Sequence, residues 1–163
     1  MKSLSKILLS LALLLASSTP WAQATLQNAA APMSVADFDE NTWAKLLESG
    51  PRPAAYLFTT SYCSTCPDAF AKVKAGATAH KGQTVPLTVV MMDVGGNQAL
   101  RHAMHFQGMT QMYAFEGFEP AIRQSVDPLW PNVTPYVVLI DKKGRLQKFI
   151  GPPTSKGLRA WLG

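Results

Sequence analysis

Cysteine is scarce in this chain of 163 residues. The sequence contains two, Cys63 and Cys66, both in the stretch TTSYCSTCPDAF over residues 59–70. A single pairing is therefore available, and it would close a loop of only two intervening residues. The pair raises a question with three answers: a structural disulfide, half of a metal site, or a redox couple that acts on other proteins.

Charged residues are also few, and they form no pattern. They make up 15% of the chain beside 47% hydrophobic residues, which is the balance of a globular protein. The basic residues are scattered, with only Lys142 and Lys143 adjacent, and no basic stripe is interleaved with aromatics. We therefore expect no nucleic-acid partner. The chain also lacks internal repeats, and its length suits one domain.

Long apolar runs are absent except at the beginning of the chain. Lys2 and Lys6 precede an apolar run over 7–16, and Ala22-Gln23-Ala24 has the small-x-small pattern of a cleavage site. This arrangement predicts a secretory signal peptide over 1–24. An uncleaved membrane anchor is the alternative, for which the run is short. Removing Lys2 and Lys6 leaves 13 basic and 10 acidic residues, a net charge of +3.

The rest of the chain alternates between strand and helix patterns. Residues 25–37 form a flexible lead-in, and a domain over 38–163 follows. Buried strands are predicted over 54–60, 86–94 and 135–141, a further strand over 145–150, and helices over 41–48, 64–80, 98–106 and 155–162. The first strands should be parallel because helices intervene, and the last two antiparallel because a short turn joins them. The pattern predicts a three-layer α/β domain with a central mixed sheet.

The two cysteines lie where a predicted buried strand ends and a helix begins. At or beside the N-cap, Cys63 would lie near unpaired N–H groups and the positive end of the helix dipole, which favours a reactive thiolate. Cys66, one turn later on the same face, could resolve a mixed disulfide. Pro67 fits the first turn of a helix. These features favour the redox answer.

Neither of the other answers is excluded at this point. A disulfide that closes so small a loop removes little entropy from the unfolded chain. A metal site needs further ligands, which His102 and His105, with several methionines nearby, could supply for zinc or Cu(I). However, a strand separates these histidines from the cysteines, and methionines on a short helix are commonly core residues.

Two motifs together resemble the thioredoxin superfamily. They are SYCSTCPDAF after a buried strand and, much later, NVTPYVVLIDKKGRLQKFIGPP. The resemblance spans roughly residues 38–162 and is nearest to exported thiol–disulfide oxidoreductases of the TlpA and ResA kind. It implies a thioredoxin-like three-layer sandwich with an insertion over 106–131, before the strand that follows the cis-proline. The insertion is rich in apolar and aromatic residues, which would either cover the sheet edge or dock a partner.

The resemblance also implies roles for individual residues. Cys63 is the nucleophile, Cys66 the resolving thiol, and the two form the Cys63–Cys66 disulfide. Pro135 matches the cis-proline that shapes the substrate groove, the Thr134 backbone pairs with an extended substrate segment, and Tyr62 stands where many relatives carry tryptophan.

Two departures from the family pattern concern the surroundings of the thiols. Leu57 occupies the place of a buried acid that serves thioredoxin as proton acceptor, and Ser64-Thr65 is not the dipeptide of thioredoxin or of DsbA.

The resulting hypothesis is a periplasmic protein thiol–disulfide oxidoreductase of a Gram-negative cell, with the reductase direction slightly favoured. It needs no organic cofactor, since the cysteines carry the electrons. We expect a monomer that acts on protein disulfides or dithiols and is recycled by a membrane redox protein. The alternatives are a copper-handling metallochaperone, a thiol reductase for a copper-binding target, or a regulatory protein with a vestigial redox fold.

Overall fold

The computed structural model describes residues 34–79 and 84–163. The predicted signal peptide over 1–24 and residues 25–33 of the predicted lead-in lie outside this part. The elements, in chain order, are β1 (Val35–Phe38), α1 (Thr42–Ser49), β2 (Ala54–Thr59), α2 (Cys66–Ala79), β3 (Leu87–Met91), α3 (Gly96–Arg101), a 3₁₀ helix (His102–His105), β4 (Gln111–Phe115), α4 (Glu119–Val126), β5 (Tyr136–Ile140), β6 (Leu146–Ile150) and α5 (Ser155–Leu162). Among the described helices, none has both the length and the apolar character needed to cross a membrane.

The strands form one mixed sheet in the order β1-β4-β3-β2-β5-β6. The pairs β1–β4, β4–β3 and β3–β2 are parallel, whereas β2–β5 and β5–β6 are antiparallel. The predicted parallel pairing of the early strands and the antiparallel final hairpin are thus confirmed. Because β5 runs against β2, the carboxyl ends of β2 and β3 and the amino end of β5 meet at one edge of the sheet.

Two strands of this sheet differ from the sequence-based expectation. Residues 35–37, placed in the flexible lead-in, belong to β1, so the folded domain begins earlier than predicted. The stretch 106–131, expected as an insertion, contributes β4 between β1 and β3, where Met112 pairs with both Val35 and Val89. Strand β1 could not be predicted because it is only four residues long and is stabilised by pairing with a distant strand, not by a local apolar run.

Helices cover both faces of the sheet, as expected of a three-layer domain. Each face of the sheet has its own hydrophobic core, and successive side chains of β2 point into them alternately. Ala55 and Leu57 belong to one core, and Tyr56 and Phe58 belong to the other. The first core lies under α2, α3 and α5, and its residues include Phe70, Val89, Met112, Val137 and Trp161. The second lies under α1 and α4 and is aromatic, with Phe38, Trp43, Trp130 and Tyr136 among its members.

The β5–β6 hairpin is closed by a buried acid. Oδ1 of Asp141 accepts hydrogen bonds from the backbone N–H groups of Lys143 (2.8 Å) and Arg145 (2.9 Å), and Oδ2 accepts one from Nε of Arg145 (2.6 Å). Burial alone would raise the pKa of Asp141, but these donors outweigh it, so the pKa lies below its ordinary value. Asp141 therefore holds the turn as a carboxylate.

We expect Asp141→Asn to lower the urea midpoint of unfolding at pH 7. A carboxylate whose folded pKa is lowered stabilises the fold above its unfolded pKa, about 3.9, and this contribution disappears as the pH falls through the folded value. The difference in midpoint between variant and parent should therefore shrink below about pH 4. Exposed Glu48→Gln is the control. A difference of the same size at pH 7 and pH 2 would contradict this account.

Candidate active site

The cysteine pair lies at the edge of the sheet, in the loop between β2 and α2. Cys63 and Cys66 form a disulfide with an S–S distance of 1.97 Å and a Cα–Cα distance of 5.5 Å. The two residues differ in exposure: Cys63 is half-buried, whereas Cys66 has no exposed surface and belongs to the core that contains Leu57 and Phe70. One sulfur-bearing residue thus reaches the surface while its partner is enclosed.

Two consecutive turns connect the end of β2 to the start of α2, and Cys63 lies where they meet. The N–H of Cys63 donates to the carbonyl of Thr60 (3.2 Å), and the N–H of Cys66 donates to the carbonyl of Cys63 (3.4 Å). The first bond of the helix runs from the N–H of Ala69 to the carbonyl of Thr65 (3.2 Å). Thr65 therefore holds the N-cap position. Cys63 lies two residues before the cap, which corrects the prediction that placed it at or beside the cap, because two turns separate β2 from the helix.

The hydroxyl groups between the cysteines contact the sulfur weakly. Oγ1 of Thr65 lies 4.0 Å from Sγ of Cys63, and Ser64 is exposed. Leu57, at the position where the family carries an acid, is buried beside Cys66. Among the described residues, the buried acidic side chain is Asp141, in the β5–β6 turn at the opposite end of the sheet. No carboxylate thus takes the place of the missing acid in the core around Cys66.

A carboxylate does hold the loop from outside the core. Asp93, just beyond β3, accepts hydrogen bonds from the backbone N–H of Ser61 (2.9 Å and 3.1 Å to its two oxygens) and from Oγ of Ser61 (2.6 Å). Sequence reasoning missed this contact. The available signal was that Asp93 and Ser61 follow neighbouring parallel strands, whose carboxyl ends meet at one edge of a sheet.

The predicted proline lies at the same edge. Phe58 pairs with Tyr136, so Pro135 is placed beside the end of β2, where the cysteine loop begins. The Thr134–Pro135 peptide bond is cis. Pro135 is buried, and its carbonyl accepts a hydrogen bond from the N–H of Gly151 (2.7 Å).

The backbone of Thr134 and the ring of Tyr62 are available for contacts at this edge. The N–H and C=O of Thr134 make no hydrogen bond to other residues of the described part. Tyr62, next to Cys63 in the chain, is 79% exposed. The structure thus brings Tyr62, Cys63, Thr134 and Pro135 to one edge of the sheet.

A second group that sequence reasoning missed supports the proline loop. The ring of Tyr136 stacks on Trp130 with a centroid distance of 4.3 Å, and Nε1 of Trp130 donates to the carbonyl of Val133 (3.0 Å). The Tyr136 hydroxyl donates to Asp127, whose other oxygen lies 3.2 Å from Nζ of Lys148. These contacts hold the backbone on both sides of Pro135 against the aromatic core.

The pKa values of Tyr136 and Asp127 are shifted in opposite directions. Burial raises the pKa of Tyr136, and the neighbouring Asp127 carboxylate raises it further. Burial would also raise the pKa of Asp127, but the hydrogen bond from Tyr136 and the charge of Lys148 outweigh it, so the pKa of Asp127 is lowered. The pair is therefore a phenol donating to a carboxylate at neutral pH.

The histidines of the metal alternative lie apart from this arrangement. His102 and His105 are at the two ends of the 3₁₀ helix, with ring centroids 6.1 Å apart. Within residues 34–79 and 84–163, no group of three or more His, Cys, Asp or Glu side chains is gathered closely enough to hold a metal ion. The structure therefore does not assemble the four-ligand site considered from the sequence.

The order of strands, the helices on both faces and the cysteine pair after β2 define a thioredoxin-like fold. Solved structures agree. A thioredoxin-related protein from Neisseria meningitidis serogroup B superposes with a TM-score of 0.52 at 16% sequence identity, over 71% of this chain and 86% of that one. A thiol:disulfide interchange protein of the thioredoxin family from Chlorobium tepidum TLS superposes with a TM-score of 0.51 at 12% identity, over 69% and 81%.

Similarity is confined to structure in these comparisons. No family model matches the chain, and no curated protein matches its sequence. The structural similarity shows the thioredoxin-like fold that the two motifs predicted.

Proposed function

We propose that this protein is an exported thiol–disulfide oxidoreductase that exchanges disulfides with protein substrates through Cys63 and Cys66. The observation that carries the proposal is the unequal exposure of a bonded cysteine pair: Cys63 reaches the surface and Cys66 is enclosed. A buried structural disulfide would have no need of an accessible member. The thioredoxin-like fold, shared with a thiol:disulfide interchange protein, supports the same conclusion.

The exposure difference supports the following order of chemical steps. In the reduced protein the Cys63 thiolate attacks one sulfur of a substrate disulfide, forms a mixed disulfide and releases the other substrate sulfur as a thiolate. Cys66 then attacks Sγ of Cys63, which releases the second substrate thiol and forms the Cys63–Cys66 disulfide. Two electrons pass from the protein to the substrate. Run in reverse, the same steps oxidise a substrate dithiol.

The surrounding residues are suited to holding an extended substrate segment. The free N–H and C=O of Thr134 can pair with a substrate backbone in the manner of an added strand. The exposed Tyr62 ring flanks Cys63 and offers apolar contact. Pro135, buried and anchored through its carbonyl, keeps the Thr134 backbone at the sheet edge beside the cysteine loop.

The cellular setting is part of the same proposal. The predicted signal peptide over 1–24 directs the protein to the periplasm, where thiols oxidise readily. A reductase there needs a source of electrons, which a membrane redox protein would supply. We propose a monomer working in the reductase direction.

The test is an equilibrium titration of the purified protein against glutathione redox buffers. A reductase should have a reduction potential near that of thioredoxin, about −270 mV, whereas a potential near that of DsbA, about −120 mV, would make the protein a disulfide donor. Trapping the thiols with an alkylating reagent at each buffer ratio reports the oxidised fraction. A pair that does not interconvert reversibly would overturn the proposed function.

A further inference from the structure

We propose that the negative charge of Asp93, held beside the cysteine loop, makes the Cys63–Cys66 pair more reducing. The inference rests on the proposed function. It deepens that function by naming a residue, outside the C-x-x-C motif and the proline loop, that sets the balance between disulfide and dithiol.

The geometry ties the carboxylate to the loop at a fixed position. Both oxygens of Asp93 accept from the N–H of Ser61, and Oδ2 also accepts from its hydroxyl at 2.6 Å. Pairing with β2 continues one residue past the end of β3, since the N–H of Met92 donates to the carbonyl of Thr59 (2.9 Å). Asp93 is therefore held on one side by the sheet and on the other by the residue two positions before Cys63.

The charge of this carboxylate is not neutralised nearby. Among the described residues, no Lys, Arg or His nitrogen lies within 4.0 Å of Asp93, whose hydrogen bonds come from the neutral Ser61. The loop itself, residues 60–66, contains no charged side chain, and the next one along α2 is the acidic Asp68. The charged side chains that adjoin the cysteine loop along these two segments, Asp93 and Asp68, are thus both negative.

The charge acts on the two redox states unequally. The disulfide is neutral, whereas the reduced pair carries a thiolate at Cys63 when it reacts. A fixed negative charge close by disfavours the thiolate and so favours the disulfide, which makes the pair a stronger reductant. Because Asp93 is exposed, solvent screens the interaction, and we expect a moderate effect.

The test compares charge removal with loss of the hydroxyl contact. Asp93→Asn should shift the equilibrium constant against glutathione threefold to tenfold toward the dithiol, where tenfold corresponds to about 30 mV. The shift should become smaller when the titration is repeated in 1 M salt, because salt screens exposed charges. Ser61→Ala keeps the Asp93 charge and removes only the hydroxyl bond, so its constant should stay within twofold of the parent.

The outcomes separate this inference from the proposed function. An Asp93→Asn constant equal to that of the parent would overturn the charge effect, as would a shift that Ser61→Ala reproduces or that salt leaves unchanged. Asp93→Ser, a second neutral variant, must give the same direction of shift as Asp93→Asn. If the parent pair itself fails to interconvert, the proposed function falls, and this inference falls with it.

Discussion

Cys63→Ser is expected to lower the rate at which the protein reduces a disulfide-bonded substrate by roughly a thousandfold or more. The reason is that a serine hydroxyl is not ionised at neutral pH and does not form the mixed disulfide. Thermal unfolding of this variant should be compared with that of the reduced parent, so that the missing disulfide is not mistaken for an effect on folding. The measurement is the initial rate with a disulfide-bonded peptide of known sequence.

Cys66→Ser is the matched control for the order of the steps. With Cys63 intact and half-exposed, this variant should still attack the substrate but should accumulate as the mixed disulfide, which mass spectrometry detects as a mass increase. The enclosed position of Cys66 is the reason we expect it to act second. A trapped substrate on the Cys63→Ser variant in place of the Cys66→Ser variant would reverse the assigned roles.

Phe58→Ala is expected to lower the free energy of unfolding by about 3–5 kcal/mol. Phe58 has no exposed surface, and its ring packs against Phe38, Trp43 and Trp130 at centroid distances of 5.7, 6.2 and 5.1 Å. The substitution leaves a cavity in the aromatic core, and a loss of this size is a large part of the ~5–15 kcal/mol that stabilises a typical domain. Urea unfolding followed by tryptophan fluorescence measures it.

Phe118→Ala is the control for the loss of a phenylalanine ring. Phe118 is 72% exposed just before α4, so its removal should change the free energy of unfolding by no more than about 0.5 kcal/mol. Equal losses for the two variants would show that the aromatic core does not have the packing described above.

The elements that could be predicted from the sequence are those whose signal is local. The apolar runs of β2, β3 and β5 are buried at every position, and α1 carries helical spacing followed by the stop signals Gly50 and Pro51. The sheet position of β4 was missed because residues 112–115 are all apolar or aromatic, so the sequence does not show the alternation by which only Met112 and Ala114 are buried. Strand β1 was missed because it is defined by its pairing with β4.

The residues of the candidate site also divide into those with a local sequence signal and those brought together only by the tertiary structure. Cys63 and Cys66 stand in one short motif, and the family resemblance implied Pro135 from the strand that follows it, so these residues could be named as candidates from the sequence. The contact between Asp93 and Ser61 joins residues 32 positions apart, and the bond between Tyr136 and Asp127 depends on how α4 returns to the sheet. Neither depends on a pattern within a single segment, and both require the tertiary structure.

The place of β1 in the sheet also bears on how the chain folds as it is synthesised. In the described part, β1 pairs with β4 and with no other strand, so Val35 finds its partner only when Met112 is present. A chain that emerges amino terminus first therefore carries β1 as an unpaired segment until most of the domain has followed. Contacts between such distant residues are slow to form, and unpaired strands are prone to aggregate. We therefore expect the sheet to be completed from its centre outward, with the earliest-made strand docking last.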